Sequence, residues 1–478
     1  MIPERLRGVI GDGTTARRLA ERFADAGHDL YLVGGSVRDA LLGRRAPDLD
    51  FTTEARPDRI KEIVEGLGST YTVGEAFGTI GVALDDERLE ITTFRSELYR
   101  DDSRKPRVSY SDDIAEDLSR RDFTVNAIAL RILDPEPIDP FGGLTDLAAG
   151  VLRTPIGPEV SFSDDPLRML RLFRFVSQLG FAPTAETLAA VVEMADRLAI
   201  VSAERIRDEF DKLMLGDHVT IALEGLVGTG LADHFLPELP EMAMEQDPHH
   251  HHKDVLAHSI AVTAKTSPDN LRLRLAALLH DIGKPDTREF EPGGGVTFHH
   301  HEVVGARKAR ARLKALRYPK DVVADVSRLV FLHMRPHTFA QGWTDSAVRR
   351  YVRDAGPLLD DLNELVRCDV TTRNRRRAAA IQRRIDELER RIDELAAAEE
   401  LAGLRPPIDG TQVMAFLDLP PGPRVGEIME MLTEHRIERG PHDEDEAYRV
   451  VAEWAEQAGL VVPDPAYRPE STKDREET

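Results

Sequence analysis

The chain reads as a mixed α/β head followed by an elongated all-α body, and three observations predict that division. From His28 to about Leu133, short β-rich runs (LYLVGG, LDFTT, TYTV, TIGVAL, LEITTF and TVNAIALRIL) alternate with helical stretches. Prolines and glycines at Pro135, Pro137, Pro140, Gly142, Gly143, Pro155 and Pro158 then interrupt the pattern. From Asp164 onward almost everything has helical periodicity.

Length and composition bound the rest. At 478 residues the chain exceeds the roughly 250 to 300 that one core supports, so several domains are expected. Hydrophobic content of 41% and charged content of 31% predict a soluble globular protein. No run approaches the roughly 18 apolar residues of a membrane span, and MIPERLRGVIGDG lacks the apolar core of a secretory signal. The single cysteine, Cys368, excludes an intramolecular disulfide framework and fits a cytoplasmic protein. The net charge of -22 argues against non-specific coating of nucleic acid, so RNA must be met by local basic patches. Arg120 with Arg121, the series Arg168, Arg171 and Arg174, and the cluster Arg373, Arg375, Arg376 and Arg377 are candidates. Solvated helix faces explain the last cluster equally well.

The head opens on Tyr31 to Thr53, YLVGGSVRDALLGRRAPDLDFTT. A buried strand runs into the Gly34-Gly35 turn, and SVRDALLG reads as a helix whose N-terminus favours anions. Asp48 and Asp50 then alternate with Leu49 and Phe51. On a strand, side chains i and i+2 share one face about 7 Å apart at Cα, so the two acids can converge on Mg²⁺ while Leu49 and Phe51 face the core. Two-metal phosphoryl transfer needs such a cluster, one ion activating a hydroxyl and the other neutralising triphosphate charge. Glu90 in LEITTF offers a third carboxylate, or is a solvent-facing strand residue. Arg38 stands where a triphosphate would lie, or pairs with Asp39 or Asp48.

In RRDFTVNAIAL, Arg120 to Leu130, two arginines and an aspartate precede an apolar strand in which Asn126 remains polar. Asp122 and Asn126 bind ribose hydroxyls while the arginines hold phosphates, or all of them brace the sheet. SDDPLRMLRLFRFVSQLGF, Ser163 to Phe181, begins with a helix cap and two acids. Capping does not require Arg168, which at i+3 from Asp165 shares its helix side. Together these two present acceptor and donor edges that could read cytosine as a pairing base would. By analogy with base readout in DNA, each bidentate contact is worth roughly 1 to 3 kcal/mol. Accepting both C and A needs a small rotation of the two side chains.

A proline and histidine stretch near Pro248 predicts a boundary near Asp247, and EPGGGVTF, Glu291 to Phe298, a loop between helices. The run His249 to His252 is internal and mostly exposed, whereas LRLAALLHDIGK puts His280 and Asp281 at the end of an apolar helix. With His258 upstream and Asp369 downstream they supply nitrogen and oxygen donors suited to a divalent transition metal. A lone histidine is more often a satisfied core residue, and Cys368 reads as a small buried residue. Ile381, Ile385, Leu388, Ile392 and Leu395 make one helical stripe, too short for a coiled coil. The chain from about Pro463 reads as disordered.

Taken together, GGSVRD, the Asp48 and Asp50 pair, LEITTFR, RRDFTVNA, DDPLRMLRLFRF and ERIRDEF (Glu204 to Phe210) resemble the class II tRNA nucleotidyltransferase and bacterial poly(A) polymerase family, densely from Gly34 to Phe210. The resemblance implies that Asp48 and Asp50 bind catalytic Mg²⁺, with Glu90 beside them. It implies that Gly34, Gly35, Ser36, Arg38 and Arg121 hold triphosphate, that Asp122 and Asn126 contact ribose, and that Asp165 and Arg168 select CTP and ATP, with Arg171 and Arg174 along the same nucleotide-binding face. The family's template element starts Glu-Asp, and here Asp164 is one methylene shorter. ERIRDEF, with Glu204, Arg205 and Glu209, bridges helices in this reading. The ordered His258, His280, Asp281 and Asp369 resemble the ligand set of an HD phosphohydrolase domain, with His301 and His333 at positions that serve a second metal or phosphate. HD domains fused behind this core imply phosphatase or 2′,3′-cyclic phosphodiesterase activity in some members. LRPPIDGTQVMAFLDLPPGPRVGEIMEML resembles the family's tail, which would hold the tRNA elbow.

The expected organisation is a nucleotidyltransferase head over 1–155, a helical nucleotide-selecting and RNA-binding neck over 156–246, an HD domain over 247–375, a helical tRNA-binding tail over 376–462 and disorder over 463–478. The expected activity is addition of C, C and A to tRNA 3′ ends from CTP and ATP, with the partners tRNA or another RNA 3′ end, no membrane, and an open oligomeric state. Poly(A) polymerase is the alternative within the same chemistry. An HD nucleotide phosphohydrolase with a nucleotide-sensing head, or an RNA-binding or chaperone role, lies outside it.

Overall fold

The computed structural model describes residues 4–44, 48–71, 78–84, 87–100, 103–244, 254–291, 295–370, 375–399, 405–462 and 467. The His249 to His252 run, Arg373 and almost all of the 463–478 segment lie outside the described residues. The chain forms two compact units. The first comprises Met1–Glu245, Ser267–Arg274 and Ala311–Pro319, the second Gln246–Thr266, Leu275–Arg310 and Lys320–Thr478.

The head is built on strands β1 (Tyr31–Val33), β2 (Leu49–Thr53), β3 (Ser69–Tyr71), β4 (Thr79–Leu84) and β5 (Glu87–Thr93), followed by the hairpin β6 (Arg95–Arg100) and β7 (Ser103–Tyr110) and then β8 (Ala129–Arg131) and β9 (Pro137–Ile138). The main sheet runs β3-β4-β5-β2-β1-β8-β9, with β6 and β7 paired separately. Only β2 and β5 pair in parallel within it, a register that sets Asp50 opposite Glu90. One sheet face is sealed by Leu19, Phe23, Ile60 and Ile63 from the helices Thr15–Asp25 and Pro57–Val64 packing on Leu32, Phe51, Ile80 and Ile91. Each such buried side chain contributes about 1.5 to 3 kcal/mol. This apolar layer makes the acids on the other face of β2 and β5 a fixed array.

Two expectations about the head are corrected. Asp48 stands in a bend just before β2, not within the strand. Thr124–Asn126 is a short 3-10 helix, so Asn126 precedes β8 instead of lying in it. The cause is local: Asp122 Oδ1 accepts from the Phe123 N–H and from Asn126 Nδ2, both at 2.8 Å, which curls the backbone.

Behind the head, the helices Leu167–Leu179, Ala203–Met214 and Val219–Gly228 form a bundle. Gly225 allows the close crossing, since a Cβ there would stand 2.3 Å from the Phe173 ring. The second unit is helical. The stripe expected over 381–395 lies within the longer helix Arg375–Glu399, with Ile385, Leu388 and Ile392 buried. Within the expected loop EPGGGVTF, Val296 and Thr297 form a strand paired with Glu289–Phe290, while residues 292–294 lie outside the described residues. The helices Gly410–Leu417, Pro423–Arg439 and Glu444–Gln457 close around Phe416, Ile428, Leu432 and Tyr448. Among the described residues no helix is long and apolar enough to cross a membrane.

Candidate active site and metal centre

The acidic array in the head begins with Ser36. Its hydroxyl donates to the Asp48 carbonyl at 3.1 Å and accepts the Asp50 N–H at 2.9 Å, so one buried side chain fixes the backbone on both sides of Leu49. Burial pushes the Asp50 carboxyl up to about 6; Arg121 and Arg38 oppose the shift, while Glu90 and Asp48 add to it. Asp48 and Glu90 lie near enough to act on the Asp50 carboxyl, and an all-oxygen donor set suits Mg²⁺. The three acids are looser than a closed metal cage: the groups of described residues whose donor atoms all meet within 4.8 Å lie in the second unit.

Gly34 has φ of +67°, and a Cβ on it would stand 2.8 Å from Arg121 Nη1. The Arg121 guanidinium therefore occupies the space over the glycine turn. Asp117 holds it there: fully buried, its carboxylate takes Arg120 Nε at 3.0 Å, Arg120 Nη2 at 2.7 Å and Arg121 Nη2 at 3.3 Å. Burial would raise Asp117, but the two arginines hold it below its ordinary range. Sequence reasoning missed this residue, although its spacing of three and four before the arginine pair, just past the end of the helix Ile114–Ser119, was a readable signal.

From Arg38 a chain of charge-assisted bonds runs to the helices Leu167–Leu179 and Ala203–Met214. Arg38 donates to both oxygens of Asp39, at 2.8 and 2.9 Å, and to Asn126 Oδ1 at 2.6 Å. Arg171 grips Asp122 Oδ2 through Nε at 2.9 Å and Nη2 at 2.5 Å and reaches Glu209 at 3.2 Å, while Arg174 donates to both Glu209 oxygens at 3.0 and 2.8 Å. Burial would raise Asp122, yet Arg171 and Asn126 hold it well below the carboxylate range. Arg38, Arg171 and Arg174 all face the Phe175 ring, at 5.1, 5.7 and 4.3 Å. Among the described residues Nε of Arg121 and of Arg174 is buried without a hydrogen-bond partner.

Asp165 and Arg168 do not converge as expected. Asp165 is the extended residue (φ −139°, ψ 98°) between the helices Pro158–Asp164 and Leu167–Leu179, because a residue before proline is disfavoured in the α region. Its carboxylate accepts from Arg205 at 2.8 Å and from the Leu167 N–H at 3.2 Å. Arg168 is buried and turns the other way, to the Ser161 hydroxyl at 2.8 Å and the Arg120 carbonyl. Ser163 and Asp164 end a helix instead of starting one. The bridging role of Glu209 is as expected, while Arg205 caps the Asp165 carboxylate.

The second unit gathers six ligand-type residues into two groups, His258 with His280 and Asp369, and Asp281 with His301 and His333. His258 Nε2 lies 2.8 Å from Asp369 Oδ1 and 3.3 Å from His280 Nε2; His280 Nε2 lies 3.2 Å from Asp281 Oδ2. A divalent ion with bonds of about 2.0 to 2.2 Å separates neighbouring donors by about 3 Å or slightly more, so the first group fits a metal. Lys284 donates to Asp281 Oδ2 at 2.6 Å and His337 lies 3.2 Å from Asp369 Oδ2; neither partner was evident from the sequence. Burial would raise Asp281, but His280 and Lys284 hold it well below the usual range. Cys368 is buried, which pushes its thiol up to about 11.

Three families match this chain: "Poly A polymerase head domain" over residues 30–153, "Probable RNA and SrmB- binding site of polymerase A" over 180–242, and "HD domain" over 250–391. The A-adding tRNA nucleotidyltransferase of Deinococcus radiodurans is 36% identical over 437 residues, 89% of this chain and 95% of that protein. The CCA-adding enzyme of Leuconostoc mesenteroides is 42% identical over 210 residues, covering 44% of this chain and 51% of its own length. The crystal structure of the Bacillus stearothermophilus CCA-adding enzyme in complex with CTP superposes with a TM-score of 0.68 at 25% identity, covering 96% of this chain and 99% of that one.

Proposed function

We propose, from the premise that this chain belongs to the tRNA nucleotidyltransferase family, that it adds C, C and A to tRNA 3′ ends from CTP and ATP. The single observation that carries this reading is the acidic face of β2 and β5, where Asp50 lies opposite Glu90 beside Asp48 and under Arg121. When bound, Mg²⁺ supplies activation of the terminal ribose hydroxyl and neutralisation of triphosphate charge. Asp48, Asp50 and Glu90 would hold it. Ser36 sets the spacing of the aspartates, and Gly34 and Gly35 let the backbone approach phosphate while Arg38, Arg121, Arg171 and Arg174 offer positive charge to it. Asp122 and Asn126 face ribose hydroxyls. Asp165 and Arg168 select the base on turning from Arg205 and Ser161, their partners in this structure.

The domain reading that goes with this activity is a head over 1–155, a neck over 156–246, an HD domain over 247–375 and a tRNA-binding tail over 376–462, acting in the cytoplasm. In the HD domain, His258, His280, Asp281 and Asp369 would hold a divalent transition metal, which would supply Lewis-acid chemistry for hydrolysis of a phosphate ester. The mixed nitrogen and oxygen donor set supports that reading. A partial activity, A addition alone, is favoured by one observation, the full-length likeness to an A-adding enzyme.

The test offers tRNA lacking its 3′ end, tRNA ending in CC and an unrelated RNA with CTP alone, ATP alone and both. Two C residues followed by one A on the first substrate support the reading. Activity confined to tRNA ending in CC assigns A addition, and long A tails on unrelated RNA assign a poly(A) polymerase.

A further inference from the structure

We propose that Tyr71 is the seat of the RNA 3′-terminal nucleotide, whose base packs on the phenol ring while its ribose hydroxyl faces the acids of β2 and β5. This rests on the reading of the head as a nucleotidyltransferase and adds to it the residue that holds the acceptor end. Tyr71 pairs with Gly81, Gly81 with Glu90 and Glu90 with Asp50, one row across β3, β4, β5 and β2. Residues directly opposite on neighbouring strands point to one face, so the phenol and the two carboxylates share a side of the sheet. Gly81 leaves the space between them open, and a Cβ there would collide with Cε2 and Cζ of Tyr71. The ring therefore reaches from β3 over β4. Burial raises the phenol from its ordinary value, Glu90 and Asp48 add to the shift and Arg88 opposes it. The hydroxyl thus stays neutral at pH 7 and brings no further negative charge to the carboxylates.

The two sides of Asp50 are unlike. On the β1 side stands the Gly34 turn, where a Cβ would lie 2.8 Å from Arg121 Nη1 and 3.9 Å from Asp50 Oδ2. That cationic side takes the triphosphate. Attacking and leaving oxygens are roughly in line in phosphoryl transfer, so the RNA hydroxyl must arrive from the other side, that of β5, β4 and β3. There the row presents an exposed Glu90, a bare glycine and a half-buried aromatic ring. Arg88, exposed two residues before Glu90 on the same face, sets a cation where the backbone of the RNA end would pass. An aromatic face beside a cation is a recurring means of holding single-stranded nucleic acid.

Covering a glycine with an aromatic ring is a common device in sheets, and it accounts for the ring lying over β4. Any apolar side chain would serve that purpose, whereas an aromatic face in one row with the acids also serves the substrate. Stacking suits this reaction in particular. The end being extended changes its last base with each addition, and every base offers a π face.

The experiment has the full chain extend two tRNAs with ATP: one ending in CC, and one whose last nucleotide keeps its ribose hydroxyls but lacks its base. In the wild type the missing base is expected to raise the KM for tRNA about 10- to 100-fold, the size of one base–aromatic stack. Tyr71→Ala should raise it as much on the intact end with the KM for ATP nearly unchanged, and removing the base should then add almost nothing. Tyr71→Phe should behave as the wild type. Tyr71→Leu, which keeps an apolar cover over Gly81, should behave as Tyr71→Ala. A penalty for the missing base in Tyr71→Ala or Tyr71→Leu as large as in the wild type overturns the proposal, as does a Tyr71→Phe impaired like Tyr71→Ala. So does a wild type indifferent to the missing base, a result that needs no variant to fold. Failure of the wild type to incorporate any ATP overturns instead the nucleotidyltransferase reading itself.

Discussion

The Ser36 hydroxyl accepts the backbone N–H of Asp50 at 2.9 Å, tying the helix that follows the glycine turn to the strand that carries the acid. The same oxygen donates to the Asp48 carbonyl, so the two aspartates are set by one side chain. Ser36→Ala leaves a buried N–H without its partner, at a cost of about 1 to 3 kcal/mol. Misplaced carboxylates would lower the turnover of nucleotide addition about 10- to 100-fold. Single-turnover incorporation of labelled CTP measures this, with the KM for CTP changing much less.

The raised Asp50 gives a pH dependence with a definite sign. Its folded value of about 6 lies above the ordinary carboxylate value of 3.8, so the metal-free folded state binds the proton more tightly than the unfolded chain. Stability is therefore lost as pH rises from about 4 to about 6, and the ionised group is a liability above that. Asp50→Asn is expected to raise the metal-free melting temperature at pH 7.5, by an amount equivalent to about 1 to 3 kcal/mol. The gain should vanish near pH 4. Thermal melts of both proteins across that range, with chelator present, check it.

Asp122 has the opposite sign. Held below its ordinary range by Arg171 and Asn126, it contributes stability that is present above the unfolded carboxylate value and lost as pH falls through the folded one. Arg171→Ala breaks its pair with Asp122 and its contact with Glu209. With the arginine side chain 30% exposed, the loss is at the lower end for a buried pair, about 2 to 3 kcal/mol. Urea unfolding at pH 7 and pH 3 should show the difference between wild type and variant narrowing at the lower pH.

Asp117→Asn should act through Arg121 without touching substrate. Freed from the buried carboxylate, the guanidinium no longer stays over Gly34, and the KM for CTP is expected to rise about 10-fold, the size of a lost charge-assisted contact. Asp117→Glu, which keeps the charge, should recover part of it. Steady-state kinetics of both variants separate this from general loss of folding.

The parts of the site that follow from local periodicity were legible in the sequence. Asp50, Phe51 and Glu90 alternate on strands whose register is set by the apolar face, so their sides could be assigned from the chain alone. His280 and Asp281 stood out because polar neighbours at the end of a buried run need partners. What could not be read was set by contacts distant in sequence or by one backbone restriction. Pro166 turns Asp165 out of the helix that carries Arg168, and the guanidinium then finds Ser161 seven residues back. Asn126 leaves its strand because Asp122 captures its side chain. Lys284 and His337 acquire meaning only when the fold brings Asp281 and Asp369 to them.

The most direct measurement compares wild type, Asp50→Ala and Asp281→Ala for incorporation of labelled CTP and ATP into tRNA lacking its 3′ end, with hydrolysis of a 2′,3′-cyclic phosphate followed in parallel. Asp50→Ala should lose incorporation by at least about 1,000-fold and keep hydrolysis, and Asp281→Ala should do the reverse. Incorporation that survives Asp50→Ala, or that is absent from the wild type with Mg²⁺ supplied, would contradict the account.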